Sequence, residues 1–324
     1  MPAIDLLVLA SELRSTSGNK PYYNLKVRKP TGSPDPQEMD AKVWSDAIEK
    51  KHPPVEGKII SAYVEESEYQ GLKQLVIKKY MYRSEDYDKT KFQVAPAVKA
   101  EDVYDYLIKS DWKDGNIKRF MANLDNMLVQ TGLKAKLLDV SAATKNHHAR
   151  RAGLLQHTQE MWMIAKKLLS GDGIPKFEGM VNLEILLAAI VMHDMGKVHE
   201  YNTENNTWDP TRIGALYGHT CWGAFCVMSL WPQDASPEGQ ETKAKLIHCI
   251  LAHHGSMQTG AAIEPKIPEA TLISLIDLMS AKLDCHRTAW EATARGEKPP
   301  FTKSLGEAVT PHWPILPKSS GKDK

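Results

Sequence analysis

The sequence predicts a protein of two unlike parts, a small antiparallel β-barrel followed by a larger all-α domain. The pattern of apolar residues changes near residue 85, from short alternating segments to helical periodicity. The chain has 324 residues, of which 42% are hydrophobic, so it is long enough to bury two cores. Its formal net charge is only +1 at pH 7, so affinity for a polyanion would have to come from local patches or bound cations.

Five short segments with β-type alternation lie in the first 83 residues. They read IDLLVLAS, YYNLKVRK, MDAKVWS, GKIISAYVEE and LKQLVIKKYMY, with turn signals such as SGNKP and YQG between them. An OB-fold is the common barrel with this size and number of strands, and an SH3-like barrel is the alternative. We therefore predict an OB-fold, a fold that often binds nucleic acid, at residues 1–83.

Helical periodicity follows the barrel and continues to about residue 295. We interpret residues 84–136 as a helical linker, residues 137–298 as the all-α domain and residues 299–324 as a flexible tail rich in Pro, Lys and Ser. The apolar stretch in MPAIDLLVLASELRS is too short for a signal peptide, and no run approaches the length of a membrane span. The four cysteines have no CxxC spacing and need no disulfide framework. These features predict a cytoplasmic protein that does not enter a membrane.

The helical half places histidine and aspartate at the ends of apolar helices. NLEILLAAIVMHDMGK ends its apolar run in His193 and Asp194, and KAKLIHCILAHHGS reaches His253 and His254 just before Gly255. Adjacent helical residues point about 100° apart, so such pairs converge on one cavity most easily from helix ends. An ionised Asp after an apolar run is costly to bury unless it is paired or coordinates a metal. A lone buried histidine is usually structural, but this joint pattern favours a metal site.

Three further helices add candidate ligands. GLLQHTQEMWMIAKKLL carries His157 near its start, YGHTCWGAFCVMSL carries His219, and TLISLIDLMSAKLD carries Asp277. Imidazole and carboxylate together suit Mn, Fe, Co, Ni or Zn, and a catalytic site fits this donor set better than a structural one. The chain has no GxSxG elbow, P-loop or Rossmann fingerprint, so these other catalytic devices are excluded.

The order H…HD…H…HH…D resembles the HD superfamily of metal-dependent phosphohydrolases, in the version that usually binds two metals. The resemblance implies that one ion is held by His157, His193, Asp194 and Asp277. It implies that Asp194 bridges to a second ion held by His219, His253 and His254. The expected cofactor is therefore two divalent ions, with Mn first and Fe, Co, Ni or Zn as the alternatives.

Two positions complete this interpretation. Asp284 lies two turns after Asp277 and is the alternative for the last ligand, since the sequence does not separate their helix faces. Lys197, in HDMGK, would point at a phosphate oxygen, and we assign the catalytic roles to Asp194 and Lys197. A solvated lysine after a helix end is the alternative for Lys197.

A closer resemblance is to the YhaM-type 3'-to-5' exoribonucleases, over roughly residues 1 to 290. It rests on NHHARRAGLLQHTQ, on ILAHHGSMQTGAAIEPKIPEATLISLIDLMSAKLD, and on NKPYYNLKVRKPTG, AKVWSD and YQGLKQLVI in the barrel. The chain departs from the family at Ala152, where the family has a Gly, and at Gln156, where it has Glu. LIDLMSAK also lacks two carboxylates of the family's Asp helix. None of these departures removes a predicted ligand.

The resemblance implies an exonuclease acting on single-stranded RNA, with DNA as a second candidate, that releases nucleoside monophosphates. The residues that we expect to contact the strand are Tyr22, Lys26 and Tyr69 on the barrel and His147, His148, Arg150 and Arg151 near the metals. Tyr23 and Trp44 are expected in the barrel core instead, because we assign them to the apolar face of their strands. A homo-oligomer is compatible with the resemblance.

Two other functions stay open on the sequence alone. One is a nucleotide phosphohydrolase or cyclic-nucleotide phosphodiesterase that acts on small molecules, with the barrel as a regulatory module. The other is a non-catalytic single-strand-binding or assembly protein. The complete set of candidate ligands disfavours the second of these.

Overall fold

The computed structural model describes residues 3–30, 38–45, 47, 52–69, 72–84, 87, 89–92, 98–143, 147–170, 179–202 and 209–294. The described chain divides into two compact units, one formed by residues up to 87 with residues 282–294 and the other by residues 88–281. The predicted tail at 299–324 lies outside the described residues. Within these ranges, no helix combines the length and the apolar character that a bilayer crossing requires.

The N-terminal strands close into a five-stranded barrel in the order β1-β2-β3-β5-β4. The pairs are antiparallel except for β3 with β5, which run parallel. This confirms the prediction of an OB-like barrel followed by helices. The strands are β1 (Ile4–Ser15), β2 (Pro21–Arg28), β3 (Glu38–Trp44), β4 (Ile59–Tyr69) and β5 (Leu72–Tyr82).

Strict alternation on β3 shows how the barrel sorts its side chains. Met39, Ala41 and Val43 are buried in the barrel core, whereas Lys42 and Trp44 on the other parity are only half-buried. The expectation that Trp44 is a core residue was therefore wrong, because Trp44 shares the outward face with Lys42. Tyr23 packs against the barrel core, as expected.

The second unit is helical. It begins with a 3₁₀ turn (Lys89–Phe92), and a further 3₁₀ turn covers Met257–Thr259. A two-stranded ribbon of β6 (Tyr201–Asn202) and β7 (Asp209–Pro210) lies between its helices. The helices are α1 (Ala100–Ile108), α2 (Gly115–Gln130), α3 (Leu133–Leu137), α4 (Gly153–Leu168), α5 (Leu183–Met192), α6 (Lys197–Glu200), α7 (Arg212–Leu230), α8 (Pro237–Ala252) and α9 (Pro268–Ala294).

Helix α5 is the centre of this unit, and every residue from Ile185 to Met192 is buried. This explains the apolar run in its sequence, which has no polar face because the helix is surrounded on all sides. The buried faces of α1 and α2 belong to the same core as α4 and α5. Residues 84–136, which we expected to link two domains, thus include helices that are part of the helical core.

Candidate metal centre

Two of the candidate ligand pairs lie where a buried helix ends. His193 caps α5 and is followed by Asp194, and His253 caps α8 and is followed by His254. The Nδ1 atoms of His193 and His253 lie 2.7 Å from the backbone oxygens of the residues three positions earlier, in the last turn of each helix. A carbonyl oxygen only accepts, so each Nδ1 donates a proton, and in the neutral form of each imidazole the lone pair is on Nε2.

Three other elements bring ligands to the same place. His157 lies on the buried face of α4, and Asp277 lies in the middle of α9. His219 follows a break in α7, where Gly218 adopts φ 66° and ψ 165° and separates two helical segments. The sequence prediction that His219 begins a helix is therefore close to the structure. Gly255 has φ 83°, the left-handed conformation expected directly after a helix end.

Asp194 lies between the two sets of histidines. Its Oδ1 is 3.2 Å from Nε2 of His219 and 3.8 Å from Nε2 of His253, and its Oδ2 is 3.3 Å from Nε2 of His193. Asp277 Oδ1 lies 3.1 Å from Nε2 of His157. Two triads could each hold a metal ion, because their donor atoms lie within 4.8 Å of one another: His157, His193 and Asp194, and His219, His253 and His254.

The buried donor atoms of this centre fit a cation. Among the described residues, none of five such atoms has a hydrogen-bond partner of normal geometry. Buried polar atoms are nearly always hydrogen-bonded, so a cluster of exceptions calls for an unseen partner such as an ion. Four of these atoms are His157 Nε2, His193 Nε2, Asp194 Oδ1 and His253 Nε2, and the fifth is Nδ1 of His254, whose Nε2 lies 3.3 Å from Nε2 of His219.

Electrostatics keep two of these groups in the form that a cation needs. Burial works against the charge of Asp194, but Lys197 and His193 hold the pKa of its carboxyl well below the usual range. Burial also holds the pKa of His253 well below its usual range, and the neighbouring His193 adds to this effect. At neutral pH, Asp194 is therefore ionised and His253 neutral. Burial lowers the pKa of His193, but the charge of Asp194 outweighs it and raises that pKa.

Lys197 is bound to Asp194. Its ammonium is buried, 2.6 Å from Oδ2 of Asp194, and it also donates to the backbone oxygen of Ala142. Instead of pointing into solvent, the lysine neutralises the carboxylate at the centre. The preceding Gly196 packs against the backbone of His219, because a Cβ there would lie 2.2 Å from the His219 backbone oxygen.

The other ring nitrogens of His157 and His219 are held by side chains that the sequence reasoning missed. Nδ1 of His157 lies 3.0 Å from Ser280 Oγ, which in turn donates to Glu160 Oε2 at 3.2 Å. Nδ1 of His219 lies 2.5 Å from Glu200 Oε2. The spacing of Glu160, three residues after His157 on the same helix face, is a signal that could have identified it. Glu200 is brought to His219 only by the tertiary fold.

The four basic residues predicted near the metals occupy different surroundings. His147 is half-buried with its ring centroid 5.4 Å from that of His157, and burial, with the nearby His157, lowers its pKa to about 3. His148 is fully buried and its Nε2 lies 2.9 Å from Glu160 Oε2. The side chain of Arg151 pairs with Asp139.

Arg150 belongs to a chain of hydrogen bonds that explains the departure at Gln156. The Gln156 Oε1 accepts from Arg150 Nε at 2.9 Å, and its Nε2 donates to Glu160 Oε1 at 2.9 Å. An amide can do both at once, whereas a carboxylate at this position would face the Glu160 carboxylate without a proton to donate.

Asp284, the alternative last ligand, has a different partner from Asp277. It is seven residues beyond Asp277, which is about 10 Å along α9. Its carboxylate pairs with Arg287 on the next turn. The structure brings Asp277 to His157 at the candidate centre, whereas the carboxylate of Asp284 is paired with Arg287.

The barrel carries a separate cluster of aromatic rings around a lysine, which we call the Lys42 cluster. Lys42 Nζ lies 4.6 Å from the ring centroid of Tyr69, 5.9 Å from that of Tyr22 and 6.0 Å from that of Trp44. The Tyr22 and Trp44 rings are 5.0 Å apart and tilted by 36°. Lys26, also predicted to contact a strand, is exposed and forms an ion pair with Glu38 at 3.4 Å.

Comparisons with known proteins agree with this description. Residues 154–282 match the family described as HD domain. Over 305 residues, covering 93% of this chain and 89% of the other protein, the sequence is 29% identical to the protein named "3'-5' exoribonuclease YhaM" from Oceanobacillus iheyensis. No solved structure matches the chain.

Proposed function

Because this chain carries an HD domain and belongs to the YhaM-type branch of the HD superfamily, we propose that it is a metal-dependent 3'-to-5' exonuclease of single-stranded RNA. It is a hydrolase that acts on phosphodiester bonds, and nucleoside monophosphates are the proposed products. DNA is a second proposed substrate. The named relative supports the direction of cleavage and the choice of RNA.

The observation that carries the proposal is the convergence of five histidines and Asp194 on one buried point. Asp194 and four of these histidines, all but His219, each have a buried donor atom without a hydrogen-bond partner within the described part of the chain, and Asp194 adjoins both triads. We propose that one ion is held by His157, His193, Asp194 and Asp277, and the other by Asp194, His219, His253 and His254. When bound, divalent cations at such a site lower the pKa of water and offset the charge of phosphoryl oxygens.

The chain's own residues prepare this chemistry. Lys197 keeps the Asp194 carboxylate charged in a buried place, so that its second oxygen stays available. The backbone carbonyls of α5 and α8 hold the protons of His193 and His253 on Nδ1, which leaves Nε2 to act as a ligand. His147 lies beside His157 at the edge of the centre and is proposed to contact the scissile phosphate.

The Lys42 cluster supports a single-stranded polymer as the substrate. Aromatic rings around a cation suit bases and phosphates of a single strand, since each base stacks on a ring and the lysine attracts the backbone. A nucleotide phosphohydrolase has no need for such a surface. We propose that Tyr22 and Tyr69 contact the strand, and we add Lys42 and Trp44. We also propose a cytoplasmic location, because the cysteine spacing requires no disulfide framework.

The test is a gel time course with the purified chain, Mn²⁺ and a 5'-labelled single-stranded RNA, beside its DNA counterpart and a panel of free nucleotides. We expect a ladder that shortens from the 3' end, with EDTA stopping it. The Asp194→Asn variant should still bind the strand but leave it intact. Intact strands together with hydrolysed nucleotides would overturn the proposal and favour a small-molecule phosphohydrolase.

A further inference from the structure

We infer that Glu200 is a positioning residue for His219, holding the imidazole in the tautomer and orientation that aim Nε2 at the metal centre. The inference rests on the metal site of the proposed function and adds a residue to it. Glu200 does not itself belong to either triad of donor atoms.

The first argument is the contact itself. Glu200 Oε2 lies 2.5 Å from Nδ1 of His219, and both side chains are largely shielded from solvent, with 22% and 12% of their surfaces exposed. A carboxylate only accepts hydrogen bonds, so the proton of a neutral His219 stays on Nδ1. Its Nε2 then carries a lone pair and lies 3.2 Å from Asp194 Oδ1 and 3.3 Å from His254 Nε2.

The second argument is that His219 differs from the other helix-end ligands. His193 and His253 end their helices, so a carbonyl of the preceding turn is within reach of Nδ1. His219 begins a helical segment, and the break at Gly218 removes the helical turn that would carry such a carbonyl. A side chain from another element has to supply the acceptor, and Glu200 does so.

The third argument is that the backbone of Glu200 is fastened to the helix that carries His219. Its carbonyl accepts from the amide of Thr211 at 2.7 Å, and Thr211 Oγ1 caps α7 by accepting from the amide of Gly214 at 2.9 Å. Gly214 packs directly on Glu200, because a Cβ there would lie 2.5 Å from the Glu200 Cα. The carboxylate and the imidazole are thus set by one rigid junction between α6 and α7.

Partners of this kind typically contribute ~10–100-fold to metal affinity, because they orient the ring and raise its basicity. Glu200→Ala should therefore weaken one of two Mn²⁺ binding events by ~10–100-fold. Glu200→Gln should keep the affinity within a few-fold, because its amide oxygen still accepts from Nδ1. Isothermal titration of metal-stripped full chain with Mn²⁺ measures both. The matched control is Glu269→Gln, a buried carboxylate that accepts from the amide of Asn182 at 2.6 Å.

The outcomes separate this inference from the proposed function. A wild-type chain that binds no Mn²⁺ would overturn both. Wild-type binding that Glu200→Ala leaves unchanged would overturn only the role of Glu200, as would an equal loss of affinity in Glu269→Gln. A second measurement needs no variant of Glu200: the ¹⁵N imidazole spectrum of the metal-free wild type, with His219 assigned through His219→Gln. We expect the Nδ1–H tautomer for His219, and the Nε2–H tautomer would contradict the inference.

Discussion

The ammonium of Lys197 lies 2.6 Å from Oδ2 of Asp194, while Oδ1 of the same carboxylate faces His219 and His253. The two oxygens therefore have different neighbours. One is neutralised by a residue of the chain, and the other has no hydrogen-bond partner among the described residues. Because one oxygen is bound to Lys197, the buried carboxylate stays ionised, and the other oxygen keeps a lone pair that can bind a cation.

The pair predicts a specific effect of metal on the stability of Lys197→Met. Without metal, we expect the free energy of unfolding to fall by about 3–5 kcal/mol, because the variant leaves the Asp194 carboxylate buried without its partner. Mn²⁺ should recover more stability in the variant than in the wild type, because the cation supplies the missing positive charge. Thermal unfolding in EDTA and in Mn²⁺ measures this.

The control for that experiment is Lys245→Met, which removes an exposed i,i+4 ion pair with Glu241. Such pairs contribute only about 0.3–0.5 kcal/mol, so little change is expected with or without metal. If Mn²⁺ raised the Tm of the Lys197 variant and of the wild type by the same amount, the idea that the two charges are exchangeable would be wrong.

Asp277 and Asp284 allow a paired test of the last ligand. Asp277 lies 3.1 Å from His157, whereas Asp284 pairs with Arg287. We expect Asp277→Asn to lower turnover of RNA by more than the ~10–100-fold typical of outer metal partners, and Asp284→Asn to leave turnover near the wild-type value. Initial rates of RNA cleavage at saturating Mn²⁺ measure both variants. A larger loss of turnover in Asp284→Asn than in Asp277→Asn would identify Asp284 as the metal ligand instead.

The Lys42 cluster predicts where the barrel holds a strand. Replacing Tyr22 or Trp44 by Ala should weaken binding of single-stranded RNA by ~1–3 kcal/mol each, because each ring is proposed to stack on one base. Lys42→Ala should also reduce the dependence of binding on salt. Fluorescence anisotropy in the presence of EDTA measures affinity without cleavage. Leu13→Ala, which changes another exposed side chain of the barrel, is the control and should bind as the wild type does.

Two neighbouring residues at the start of α4 should respond differently to substitution. Ala152 has φ 56°, a left-handed conformation that costs a residue with a Cβ ~1–2 kcal/mol, and Ala152→Gly removes this cost. The gain is offset because Gly loses more backbone entropy on folding and because a buried methyl group is lost. We expect its stability to stay within about 1 kcal/mol of the wild type. Gly153→Ala places a Cβ 1.9 Å from the backbone oxygen of His148, and should destabilise by about 3 kcal/mol or more. Urea unfolding measures the stability of both variants. Equal losses of stability would contradict this prediction and would mean that the backbone there adjusts freely.

Sequence patterns predict the helices and strands of this protein better than they predict the contacts around each side chain. The alternation in the first 83 residues predicts all five strands, and the ends of the apolar helices predict that His193 and His253 approach one point. Both follow from local periodicity, which the chain carries in its own residues. The error at Trp44 is local too, because the strand could be assigned with either parity until its register with neighbouring strands was known.

The roles of neighbouring charges need the tertiary fold. Lys197 was expected to point at a phosphate oxygen, and the structure places its ammonium on Asp194, because the two residues belong to one turn in which the amide of Lys197 donates to the carbonyl of Asp194 at 2.9 Å. The sequence did not identify Glu200 and Ser280 as site residues, because a single Glu or Ser forms no recognisable pattern. Only the contacts between distant segments show that they hold His219 and His157.

The hydrogen bonds from His193 and His253 to carbonyls three residues earlier need only four consecutive residues each. The tautomer of these ligands is thus settled as soon as the last turn of the helix forms. A protein designer could use the same unit, an apolar helix that finishes in histidine, to place a ready imidazole donor in a new scaffold without building any outer support for it. Two such helix ends meeting at an angle would give half of a transition-metal site from the backbone alone.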